Sequence, residues 1–145
     1  MITNEEIRLC PTAATAAAKW WRRALEHPRY DNGDNSVMGA IVMMMAMMAN
    51  QEKSPEVLDQ FEVELASDLE KRLEDCSDYG VSLGVDYNPD QILWSAAERT
   101  GMDWRENSSW PWKTHMWVKS NEITVSAGYR APTEVIWSAP AESAN

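Results

Sequence analysis

Residues 79–93 read YGVSLGVDYNPDQIL, and the fold turns on the change of period inside this stretch. Tyr79, Val81, Leu83, Val85 and Tyr87 alternate with small or polar residues, the pattern of a half-buried strand. From Asn88 the pattern becomes helical. Asn88 is placed as the cap, Pro89 at the first position, Asp90 in the first turn and Gly101 beyond the end.

Upstream, the sequence predicts helices. Ser54 is set to cap one, with Pro55 at its first position and Glu56 at the positive end of the helix dipole. Leu58, Phe61, Leu65, Leu69, Leu73 and Cys76 form one apolar stripe to about residue 77. An alanine-rich helix is expected from Pro11 to about Glu26, ended by His27-Pro28. YDNGDN, residues 30–35, is a turn cluster. Asn35 or Ser36 then caps a third helix, which ends near Asn50.

Downstream, KTHMWVK (113–119) and EITVSAGY (122–129) read as two strands joined at Ser120-Asn121 in a hairpin, and TEVIWS (133–138) as a third strand. Residues 102–111 are expected as a polar loop holding Trp104 and Trp110, and 139–145 as a frayed tail. The order is three helices, a strand, a helix, then three strands. That is an α+β fold: an antiparallel sheet of about four strands with helices on one face. The helix between the first strand and the hairpin leaves room for one parallel pairing. The chain reads as one domain over 1–145, with a helical part (1–77), a strand–helix–hairpin–strand part (78–138) and the tail.

Within the third helix, IVMMMAMMAN (41–50) carries five methionines in the six positions 43–48. The uninterrupted apolar stretch, 37–49, is thirteen residues. As a helix it is about 20 Å long, against about 30 Å of bilayer hydrocarbon, so it does not span. A helix apolar on every side belongs at the centre of a domain or between subunits. Methionine filling an irregular core is the expectation. The alternative is an adaptable face for a partner or a second copy of the chain.

Charge restricts the partners. The net charge is −10. This disfavours direct contact with nucleic acid, whose phosphates require clustered Lys and Arg, and equally disfavours an anionic membrane surface. A basic protein partner suits it. The opening MITNEEIRLCPTAAT lacks the basic and apolar regions of a secretory signal, and two cysteines, Cys10 and Cys76, fit a reducing cytoplasm as free thiols. No metal site or cofactor is expected: His27 and His115 lie far from either cysteine, and Asp31, Asn32, Asp34 and Asn35 lack the downstream Glu of a calcium loop. No nucleophile motif or phosphate-cradling glycine loop is present, and a non-enzymatic role is expected.

Residues 52–90 hold twelve Asp and Glu against three Lys and Arg, a balance of −9, while the rest of the chain sums to −1. One account of this face is solvation. The other is imitation of a phosphate backbone, offered to a basic groove. On that account Glu62, Asp68, Glu70, Glu74, Asp75 and Asp78 are the candidate contacts. The C-terminal half adds WPWKTHMW, with Trp110, Trp112 and Trp117 around His115 and with Lys113 and Arg130 nearby. Such residues anchor cores, serve as interface hot spots, or stack a nucleotide base. Trp112, Trp117 and Arg130 are the further binding candidates. His115 and Trp117 share one side of their strand and Met116 and Val118 the other, so one row faces away from the core.

The block WPWKTHMWVKSNEITVSAGYRAPTEVIW, with YDNGD, MGAIVMMMAMM and VSLGVDYNPDQIL, resembles small acidic accessory proteins of phages and prophages of Gram-positive bacteria, some of them anti-CRISPR proteins that inhibit Cas9. The resemblance covers about half the chain and is strongest over 110–137. It implies a counter-defence inhibitor in the bacterial host cytoplasm that binds a basic immune protein, plausibly a Cas9-type nuclease. The alternative is an oligomeric protein that sequesters a nucleotide immune signal through the C-terminal sheet, with the 37–49 helix at the subunit interface. A structural or regulatory oligomer, kept soluble by its acidic face, is a third option.

Overall fold

The first helix, α1 (Asn4–Arg8), was not expected from the sequence; it buries one side chain, Ile7, and leads to a tight turn at Cys10. A computed structural model describes residues 4–30, 32–49, 53–75, 79–102 and 110–140. The second helix, α2 (Ala13–Glu26), begins two residues later than predicted. Thr12, not Pro11, sets its start: the Thr12 hydroxyl accepts from Thr15 N while the Thr15 hydroxyl accepts from Thr12 N, a reciprocal cap. The described N-terminal helices therefore number four, with α3 (Val37–Ala49) and α4 (Pro55–Asp75) following. Ser36 and Ser54 cap these two, bonding Gly39 N and Val57 N.

The sheet is a meander in the order β1 (Val81–Val85), β2 (Thr114–Val118), β3 (Glu122–Ala127), β4 (Glu134–Ser138), and every pair is antiparallel. The parallel pairing allowed for by the sequence does not occur. Helix α5 (Gln91–Glu98) leaves the end of β1 and the chain comes back to that same end, where Val85 faces Thr114 and Lys113 N bonds Asp86 O at 2.8 Å. The α5 cap also differs from the expectation. Asp90 caps the helix, not Asn88, because one Asp90 oxygen accepts from Leu93 N (2.9 Å) and the other from Gly84 N (2.7 Å). Pro89 stands outside the helix in an isolated bridge to Val85.

Lys119 and Glu122 exchange backbone bonds across Ser120-Asn121, closing the expected hairpin. Lys113 has φ +57, so β2 starts one residue later than predicted, at Thr114. Ala139, assigned to the tail, donates to Asn121 O at 2.8 Å; the remainder, 141–145, lies outside the described residues.

One face of the sheet is the core. Leu83, Val85, Met116, Val118, Ile123, Val125 and Trp137 point into it and meet Trp21 and Leu25 of α2, Phe61, Leu65 and Leu69 of α4, and Leu93 of α5. The alanines of α2 let α4 approach closely: Ala13, Ala14, Ala16, Ala17 and Ala18 are all buried. The other face is open to solvent. There the His115 ring lies over Gly84, where a Cβ would stand 3.1 Å from it.

Helix α3 overturns the core expectation. Val37, Met38, Met44, Met45, Met47 and Met48 keep from 61% to 80% of their surface, and Gly39 alone is buried. Being apolar on all sides requires a cover, and among the described residues no other helix or strand supplies one. Among the described residues no helix is long and apolar enough to cross a membrane.

Candidate binding surfaces

The acidic helix α4 is not one uniform face. Its apolar stripe packs inward, which turns its acids toward the neighbouring elements as well as toward water. Arg22 of α2 donates to Asp59 and to Glu62 (3.2 Å) and lies 3.9 Å from Glu26, while Lys19 sits 3.3 Å from Glu62. Burial pulls the Arg22 pKa down, but its bonds to Asp59 and Glu62 outweigh this and raise it. On the other flank Arg99, the C-cap of α5, donates to Asp68 and to Glu64 (2.7 Å), and these two bonds raise its pKa. Gln60 adds a bond to Arg99 O at 2.9 Å. Four acids in the first two-thirds of α4 are thereby paired with three cations, Glu62 and Asp68 among them.

The last turns differ. Glu70, Glu74 and Asp75 are exposed, interrupted by Lys71 and Arg72, and make no ion pair among the described residues. Asp78, the remaining acidic candidate, and Cys76 lie outside the described residues. Of the six acids set out from the sequence, three share one exposed helix end.

The aromatic candidates do not converge. Trp112 is buried, its ring edge-on to Tyr30 at 5.4 Å and to Tyr87 at 5.1 Å, and its backbone N–H donates to Arg29 O at 2.8 Å. Lys113 reaches back over the Tyr87 ring at 4.5 Å and pairs with Asp86, a bond that raises its pKa. Arg130 lies 5.2 Å from the Tyr129 ring and has φ +56. Lys113 and Arg130 are the two non-glycine left-handed residues described, and Gly128 N bonds Lys113 O, so both sit at the same end of the β2–β3 pair. Trp117 is elsewhere: it stands 42% exposed on the open sheet face, between Ser82 and Thr124. Trp110 is buried edge-on to Phe61, and Trp104 lies outside the described residues.

Other chemistry is sparse. The Cys10 thiol is free and buried, donates to Glu6 O at 3.3 Å, and is pushed up in pKa by burial, which disfavours the thiolate. Residues 32–36 form a pair of side-chain turns: Asn32 accepts from Asp34 N and Asp34 from Ser36 N, each at 2.9 Å. Asp31 lies outside the described residues. Among the described residues no group of three His, Cys, Asp or Glu is placed to hold a metal ion. A groove of about 130 Å³ runs between α1, α2 and β4, with Arg8, Arg23 and Glu134 at its rim. Drug-sized ligands occupy roughly 300–1,000 Å³, so it suits no ligand of that size.

The sequence missed the neutralising arginines because their partners lie 31 to 40 positions away. The spacing of Lys19, Arg22 and Glu26 along one face of α2 was the available signal.

No protein-family model matches this chain, and no curated protein matches it at a significant level.

Proposed function

We propose that this protein acts by binding rather than catalysis, as a phage-type counter-defence inhibitor in the bacterial host cytoplasm. Its partner is a basic, nucleic-acid-handling immune protein, a Cas9-type nuclease being the leading case, whose nucleic-acid channel it occludes. One observation carries this reading: the exposed end of α4, where Glu70, Glu74 and Asp75 stand without ion pairs among the described residues while Asp59, Glu62, Glu64 and Asp68 before them are paired with Lys19, Arg22 and Arg99. Carboxylates on successive helical turns offer a row of negative charge to a basic groove, with the contact strengthened by counterion release and weakened by salt.

The test is binding to a basic nuclease across a salt series. A variant with Glu70, Glu74 and Asp75 changed to Lys is compared with one carrying Lys at Glu5, Glu122 and Glu134, which alters net charge equally. Loss of binding in the first variant alone supports the reading. Equal binding by both removes it.

A second reading, sequestration of a nucleotide signal, is favoured by Trp117, the one candidate ring presented on the open sheet face. With Trp112 buried, stacking falls to Trp117 alone, beside His115. A nucleotide affinity that persists in high salt and disappears in Trp117→Ala would select it.

A further inference from the structure

We propose that α3 is a self-association element, and that its cover is the α3 of a second copy of this chain. The proposal stands apart from the acidic-face reading and rests on different residues.

The thirteen residues of α3 carry no charged, hydroxyl or amide side chain. Among the described residues none of them comes within 8 Å, Cα to Cα, of another helix or strand. The helix is nevertheless well fixed at its start. Asp34 accepts from Ser36 N, Ser36 accepts from Gly39 N, and a Cβ at Gly39 would stand 2.3 Å from Asp34 O. A helix this short is marginal in water on its own, and an all-apolar one is found buried.

Area argues for a whole interface. The large side chains of α3 other than Met43, with exposures from 42% to 80%, leave on the order of 900 Å² uncovered over all sides of the helix, against roughly 800 Å² per partner in a standard interface. A typical monomer exposes apolar patches of only about 300–600 Å².

Charge argues for a second copy as the occupant. Two chains of net charge −10 repel wherever their acids face each other. Residues 35–51 are the longest stretch free of charged residues, so two copies meet there without opposing carboxylates. A charge-free apolar patch also matches homodimer interfaces, which are more apolar than those of transient partners. The contact is self-complementary: methionines adapt to one another, and the small side chains of Ala40 and Ala46 leave room for a second helix.

The test is native mass spectrometry with light scattering on the full chain at micromolar concentration. The expected mass is that of at least two chains of 16.5 kDa each. Two double variants follow, one with Met45→Glu and Met48→Glu, the other with Met45→Lys and Met48→Lys. Both positions are exposed, so neither change disturbs the core. Each variant alone is expected to be monomeric, with helical circular dichroism falling by no more than the share of the thirteen residues of α3, and the two mixed are expected to reassociate. A monomeric wild-type chain, an oligomer that survives both variants, or a mixture that stays monomeric would each overturn the proposal. So would a wild-type monomer that uses α3 to bind phosphatidylcholine vesicles. Lys substitution at Glu70, Glu74 and Asp75 leaves the mass ratio unchanged, which keeps this test separate from that of the acidic face.

Discussion

The indole N–H of Trp137 donates to the backbone carbonyl of Cys10 at 3.0 Å, a bond between residues 127 positions apart. It ties β4 to the junction of α1 and α2 inside the core, where Trp137 is 2% exposed. Trp137→Phe keeps most of the ring and removes the donor, leaving the Cys10 carbonyl without that partner. The expected cost is about 1–3 kcal/mol, read as a lowered urea midpoint. Trp137→Ala adds a cavity and should cost about 3–5 kcal/mol. Equal values for the two variants would deny the bond a separate role.

Asp90 holds two backbone donors at once, Leu93 N and Gly84 N. Asp90→Ala removes a helix cap and a strand-edge bond together, for an expected loss of about 1–3 kcal/mol. Asp90→Asn should fall between, since an amide can cap Leu93 but cannot accept with both atoms. Denaturation of the three proteins side by side gives the order.

Two arginines should differ in value. The Arg22 side chain is 19% exposed and serves Asp59, Glu62 and Glu26; that of Arg99 is 40% exposed and serves Glu64 and Asp68. Solvent screening leaves Arg99→Ala with a cost under about 1 kcal/mol that fades in high salt. Arg22→Ala should cost more, about 1–2 kcal/mol, because Glu62 stays half-buried with Lys19 alone. A larger loss for Arg99→Ala would contradict this ordering.

Lys53 gives a pH signature. It is buried, its Nζ donates to Leu25 O at 2.7 Å, and burial lowers its pKa from 10.5 to about 8. A folded pKa below the unfolded one means that the unfolded chain binds more protons between these two values. The Lys53 contribution is therefore flat below about pH 8 and makes stability rise with pH from there toward 10.5. Tyr30, pushed by burial up to about 12, acts oppositely above pH 10, and the raised Cys10 thiol acts oppositely above pH 9. Comparison with Lys53→Met isolates the effect. The wild-type advantage over the variant should grow by about 1 kcal/mol from pH 7 to pH 9. A constant difference would remove Lys53 as the cause.

The elements that announced themselves did so through short-range chemistry. Val81, Leu83 and Val85 alternate and are buried; Ser54 and Pro55 open α4; Ser120-Asn121 closes the hairpin. What stayed hidden depends on neighbours distant in sequence. Helix α1 has a single buried apolar residue, Ile7, too little for a periodic signal. The apolar run of α3 declares that it must be covered, but a one-dimensional pattern does not say by which molecule. The candidate acids looked equivalent on a helical projection, yet Arg22 and Arg99 cancel Glu62 and Asp68 and leave Glu70, Glu74 and Asp75 apart. Strand parity did separate Trp117 from Met116, and the observed burial follows it, but Trp112 precedes β2 and was beyond the reach of parity.

The Asp90 carboxylate has one more effect, on what the sheet can recruit. β1 is an edge strand, and its outward-facing backbone at Gly84 is fully occupied: the N–H by Asp90 Oδ2 and the carbonyl by Asp90 N. Pro89, which has no N–H, sits beside Val85. An incoming strand would find only the Ser82 rung of β1 free to pair, too little to seed β-augmentation or runaway cross-β stacking. At the far edge α1 lies against β4 alone among the strands. The meander is thus guarded against templated fibre growth along its β1 margin, where Val81, Leu83 and Val85 would otherwise invite a further strand.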